Sequence, residues 1–136
     1  YAMFFEYSLD VPAGTTETQK VAQDLKLTAG IIHYVEFQFP AGCQFLVHCR
    51  VMRGGVQIWP RNRSGNISGE FFPVAFNEFL DLKSESNLLV LEAWNEDEVE
   101  DHTIKLRLAH LKLGEYFPEV DLADAIRSFH RLFRRR

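Results

Sequence analysis

Cysteine is scarce in these 136 residues, and several other features that would place the chain at once are missing too. The two thiols, Cys43 and Cys49, are too few for a disulfide framework. They are expected to be reduced and packed, a usage that fits a reducing compartment. No run approaches the ~18 consecutive apolar residues of a membrane span. Nor does the start of the chain show the basic, apolar, small-residue order of a secretory signal. A cytoplasmic location without membrane contact is therefore expected. Charge of one sign is not in large excess: the net value of −4 disfavours nucleic-acid binding by the body of the chain.

What is present is apolar and aromatic. Hydrophobic residues make up 46% of the chain and include 12 Phe, enough for one domain with a core that needs no staples. The charge is unevenly placed. Residues 119–136 set Glu119, Asp121 and Asp124 against Arg127, Arg131, Arg134, Arg135 and Arg136, a net +2 that leaves −6 for the rest.

Strand signals follow one another along most of the length. Residues 3–9 suit a first strand, closed by the turn Val11-Pro12-Ala13-Gly14, and 20–27 a second. Alternation from Ile31 to Phe39 puts Ile31, His33, Val35, Phe37 and Phe39 on one face and Tyr34, Glu36 and Gln38 on the other. After Pro40-Ala41-Gly42, the residues Phe45, Val47, Cys49 and Val51 continue the buried face. Gly54-Gly55 marks a hairpin with Val56 to Pro60 as its second arm. A polar loop or irregular hairpin over 61–69, one or two strands over 70–82 broken at Pro73, and an apolar strand over 88–94 come next. The acidic loop from Asn95 to Asp101 leads into a last strand with Ile104, Leu106 and Leu108 inward. Beyond Pro118 the period changes. Leu122, Ile126, Phe129 and Phe133 recur at helical spacing behind Asp121 as N-cap, with arginines late in the helix. The expected architecture is an all-β antiparallel sandwich, jelly-roll-like, over 1–118, with a C-terminal amphipathic helix over 119–136.

Chemical signatures are thin. The acidic stretch Glu96 to Asp101 has oxygens for calcium but lacks the ligand alternation and central glycine of an EF-hand loop, so a solvated turn is expected. The histidines His33, His48, His102, His110 and His130 show no zinc-ligand spacing, and His33 is read as a core residue. Neither Cys43 and Cys49 nor Ser64 and Ser68 sit in a nucleophile context. No catalytic residue, metal ligand or cofactor is assigned, and a non-enzyme is expected.

Two groups remain as candidate contact residues. Leu122, Ile126, Phe129, Arg131, Phe133, Arg134, Arg135 and Arg136 present an apolar stripe and a basic end suited to a protein subunit, in a homo-oligomer or larger assembly. The alternative for this helix is packing on its own domain. Phosphate of a nucleic acid is a second target for the basic end alone. Trp59, with Arg61, Asn62 and Arg63 in the 61–66 loop, would suit a carbohydrate-like ligand if the indole is exposed; otherwise Trp59 belongs to the core.

Several short motifs add a resemblance. They are Gly30-Ile31-Ile32-His33, Phe39-Pro40-Ala41-Gly42-Cys43, Gln57-Ile58-Trp59-Pro60, Trp94-Asn95 and His102-Thr103-Ile104. In this order they resemble small β-sandwich structural proteins of tailed phages, over residues 25–113. The resemblance implies a virion component that joins other structural proteins and carries no catalytic residues.

Overall fold

The computed structural model describes residues 2–82, 88–111, 126–127 and 129–132. Among the described residues nine strands are formed: β1 (Ala2–Val11), β2 (Val21–Leu25), β3 (Gly30–Gln38), β4 (Val47–Arg53), β5 (Val56–Trp59), β6 (Ile67–Ser68), β7 (Val74–Leu82), β8 (Leu89–Asn95) and β9 (His102–Leu111). They divide between two sheets, β1-β9-β3-β7 and β2-β8-β4-β5, with short β6 beside β4.

The pairing is nested. The first strand pairs with the last, β2 with β8, β3 with β7 and β4 with β5, all antiparallel. A long hairpin folded back across itself in this way, its paired strands shared between two facing sheets, is a jelly roll. Gly54 and Gly55, both at positive φ, make the innermost turn of that hairpin.

Alternation explains most of the core. Leu9 and Val11 from β1, Val47, Cys49 and Val51 from β4, Leu89, Leu91 and Ala93 from β8, and Ile104, Leu106 and Leu108 from β9 meet between the sheets. Two expectations fail, each for a backbone reason. A β-bulge between Ile32 and Tyr34 shifts the phase of β3, so Ile32 joins Val35 and Phe37 in the core. His33 is carried out of the core and is half-buried. A bulge re-aims side chains in this manner by leaving one residue unpaired. Phe45 does not continue the buried face of β4: it precedes the strand, is 61% exposed, and has φ of 60°.

On the outer face of the first sheet, Ile31 and Leu111 form a small second cluster. The C-terminal helical residues Ile126 and Phe129 pack on it together with Phe79, whose ring lies 5.8 Å from that of Phe129. The expected boundary at 118/119 lies outside the described residues, as do Leu122, Phe133, Arg134, Arg135 and Arg136.

Candidate assembly surface

Two loops meet at one end of the sandwich: 39–46, between β3 and β4, and 69–73, between β6 and β7. Glu70 joins them. Its carboxylate accepts the backbone N–H groups of Gly42 and Gln44, each at 2.9 Å, and the Phe45 N–H donates to the Gly69 carbonyl at 3.2 Å. Those donors, Gln44 first and then Gly42, hold the Glu70 carboxyl below its ordinary pKa. Gly69 is buried against the core, and a Cβ there would come within 2.7 Å of the Phe39 ring. The second loop is thus pressed onto Phe39 while its next residues turn outward.

Those next residues are Phe71 and Phe72, 64% and 74% exposed, with their rings edge to face at 5.4 Å. Among the described residues, the non-glycine positions with positive φ are Gln44, Phe45 and Phe71, and all three lie in these two loops. Left-handed backbone costs a non-glycine residue about 1–3 kcal/mol. Here it holds large apolar side chains in water. The sequence reading missed this group because it assigned Phe45 to the core and 70–82 to strand. One signal was available, since adjacent residues of an extended strand point to opposite faces and Phe71-Phe72 cannot both be inward.

The residues singled out from sequence are dispersed. Trp59 is 2% exposed and faces the core, where its Nε1–H donates to Glu78 Oε2 at 2.6 Å and its ring meets Phe76 edge-on at 6.1 Å. It offers no stacking platform. Arg61, Asn62 and Arg63 are exposed on a loop held from below by buried Gln57, whose amide donates to the carbonyls of Pro60, Asn62 and Gly65. The ligand-binding group is therefore separated by burial of its aromatic member. Of the helix residues, Ile126 and Phe129 pack on the chain's own sheet, whereas Arg131 and Leu132 are exposed.

The acidic turn is built by its own backbone. Asp97 Oδ1 accepts the N–H groups of Val99 and Glu100, and Oδ2 lies 2.9 Å from His102 Nε2. These partners, the Val99 N–H foremost, lower the Asp97 pKa. Glu100 also stands near enough to Asp97 and His102 to complete a ligand trio, yet the Asp97 oxygens already have these partners. Buried Asn95 donates to the Val11 and Glu100 carbonyls and accepts the Asp97 N–H, tying three segments together.

Charged groups on the outer sheet faces are matched with one another. Arg50 lies over the Trp94 ring at 5.3 Å and binds Glu92 and Glu17, each at 2.9 Å. His48 stacks on the same indole and shares a hydrogen bond with Asn66. On the other sheet, Arg107 sits 3.5 Å from both Glu6 and Glu36. Both cysteines are free and buried. Burial, with Glu70 and Asp97 nearby, pushes the Cys43 thiol up to about 11, and burial alone raises Cys49 further. Each is therefore a protonated thiol at neutral pH, a poor nucleophile.

No family model matches the chain. No curated protein matches it either. Solved structures do. A chain of the cyanophage Pam1 capsid asymmetric unit superposes with a TM-score of 0.55 at 9% identity, over 80% of this chain and 83% of that one. The shared feature is the jelly roll. A chain of tomato aspermy virus gives 0.48 at 12% identity, over 80% and 78%. A triple jelly-roll chain of an archaeal virus gives 0.44 at 14% identity, with 81% of this chain covering 28% of that one. Only the first is near enough in shape to carry weight, and at such identity it speaks to fold. The expected likeness to virion β-sandwich proteins is met at that level, on viral capsid structures.

Proposed function

We propose that this chain is a non-catalytic structural module of a virion, working by contact with other protein subunits. The observation that carries the reading is the nested two-sheet jelly roll, shared at a TM-score of 0.55 with a capsid chain over most of both lengths. Self-matched surface charge and protonated thiols support a role without chemistry. Ile126 and Phe129 serve the chain's own fold in this reading. A tailed-phage origin, and an attachment role for Arg131 and Arg134 to Arg136, remain part of the proposal. The carbohydrate alternative loses its platform with Trp59 inside.

Light scattering on the full chain over rising concentration tests the reading. A mass well above the 15.8 kDa of one chain is expected. A monomer at every concentration and ionic strength overturns it.

A further inference from the structure

Going beyond that reading, we propose that the outer face of the first sheet binds a neutral saccharide in a groove between Phe4 and Tyr34. This is a different face from the Trp59 loop, and strand register builds it. Phe4 on β1 and Tyr34 on β3 both pair with Ala109 on β9, so an alanine floor separates two aromatic side chains. Their strands lie two spacings apart, about 9.6 Å, which leaves room for one ring between them. The groove has a volume of about 480 Å³, within the range of small-molecule sites. Phe4 is 68% exposed on a strand whose next outward residues are Glu6 and Ser8, so its ring stands in water beside polar neighbours.

The polar groups along the groove are held in place by the sheet itself. Glu36 accepts hydrogen bonds from the Tyr34 hydroxyl and the Gln38 amide, each at 2.9 Å, and lies 3.5 Å from Arg107. Asn77, paired with Tyr34 across β7, is exposed at the edge of the groove, and the bulge brings His33 to it. Burial lowers the His33 pKa, so that imidazole is neutral at pH 7. Pre-organisation of this kind spares a ligand the cost of ordering its site. Charge then narrows the ligand. Glu6 and Glu36 are offset by Lys105 and Arg107, which leaves no net charge to draw in a phosphate or an amine. An apolar floor between aromatic rings, edged by amide, carboxylate and guanidinium groups, suits a ring with apolar C–H faces and hydrogen-bonding groups around its rim. A sugar is such a ring.

The test uses the full chain, isotope-labelled for amide NMR. The probes are the methyl glycosides of glucose, galactose, mannose and N-acetylglucosamine, with cellobiose and lactose. Inorganic phosphate, choline and indole stand for anionic, cationic and flat aromatic ligands. At least one sugar is expected to shift the amides around Phe4, Tyr34 and Ala109, with an affinity that rising sodium chloride leaves unchanged, since no ion pair is formed. Phe4→Ala removes one wall at an exposed side chain, and Ala109→Val raises the floor with a residue that strands favour. Each should weaken that binding by roughly tenfold or more, the loss of one good aromatic contact. Melting followed by circular dichroism should match the parent; if Ala109→Val melts lower, Phe4→Ala alone is the deciding variant. No shift with any sugar, shifts that map to another face, or a Phe4→Ala chain that binds as the parent does overturns the site. Phosphate, choline or indole binding here in place of every sugar overturns the ligand class, and with it the proposal. Light scattering judges the structural-module reading separately, whichever way the sugars behave.

Discussion

Replacing Trp59 separates a core role from a binding role. The side chain is 2% exposed, touches Phe76 edge to face, and gives its one hydrogen bond to Glu78. Truncating a buried tryptophan to alanine costs about 3–5 kcal/mol through lost transfer energy and the cavity left behind. Loss of the Nε1–H donor belongs to the same change. A hydrogen bond to a charged group contributes about 1.5–3 kcal/mol when well buried, and less here because Glu78 is half-exposed. Trp59→Ala is thus expected to lose about 4 kcal/mol. Trp59→Phe keeps most of the packing and should lose about 1–2 kcal/mol. Against a total stability of roughly 5–15 kcal/mol, the alanine variant should be marginal. With a urea dependence of about 2 kcal/mol per molar, its midpoint falls by about 2 M. Trp94, 5% exposed beneath His48 and Arg50, remains as the fluorescent reporter of unfolding in both variants. An alanine variant whose midpoint stays within about 0.5 M of the parent would show that Trp59 carries little packing, and the core assignment would fail.

Gly30→Ala should be among the most damaging small substitutions. The position has φ of 154°, and a Cβ there would lie 2.5 Å from both the Leu111 carbonyl oxygen and the His110 ring. The ring cannot yield freely, since His110 is fully buried and its Nε2 lies 2.9 Å from the Thr28 carbonyl. A loss of about 3 kcal/mol or more is expected in urea titration, from backbone strain plus a disturbed buried hydrogen bond; a loss under about 1 kcal/mol would contradict the close approach of β3 to β9. The acid limb of stability should depend on Glu70 and Asp97. Both carboxyls have folded pKa values below their unfolded ones, so their contribution is complete above the unfolded carboxylate pKa of about 4 and is lost as pH falls through the folded values. The double variant Glu70→Gln, Asp97→Asn should be less stable at pH 7 and show a shallower fall between pH 5 and 3, read by urea midpoints. An unchanged slope would mean that neither group is held as the hydrogen bonds indicate.

The sequence makes local strand structure legible because the period of two survives wherever one face is buried. That is why β4 and β9 fall where alternation puts them, with Val47, Cys49 and Val51 inward and Lys105 and Arg107 outward. Alternation carries no information about partners. Pairing of Ala2 with Leu111, and of each following strand with its counterpart counted back from the end, is fixed by closure of the whole sandwich. The bulge at His33 is illegible for a related reason: Ile31 and Ile32 are both apolar, and only the neighbouring strands decide which one enters the core. The exposed phenylalanines mark a different limit. Residue type predicts burial in one direction only, because much of any folded surface is apolar. Phe39 and Phe45 look alike in sequence, yet one is 2% and the other 61% exposed. What distinguishes them is the Glu70 carboxylate binding the backbone of Gly42 and Gln44 across more than twenty residues. A carboxylate placed there stabilises a loop shape that phenylalanine would not choose for itself. The apolar surface at this end of the jelly roll is therefore a product of tertiary structure, and removing Glu70 should release Phe45 and Phe71 from it together.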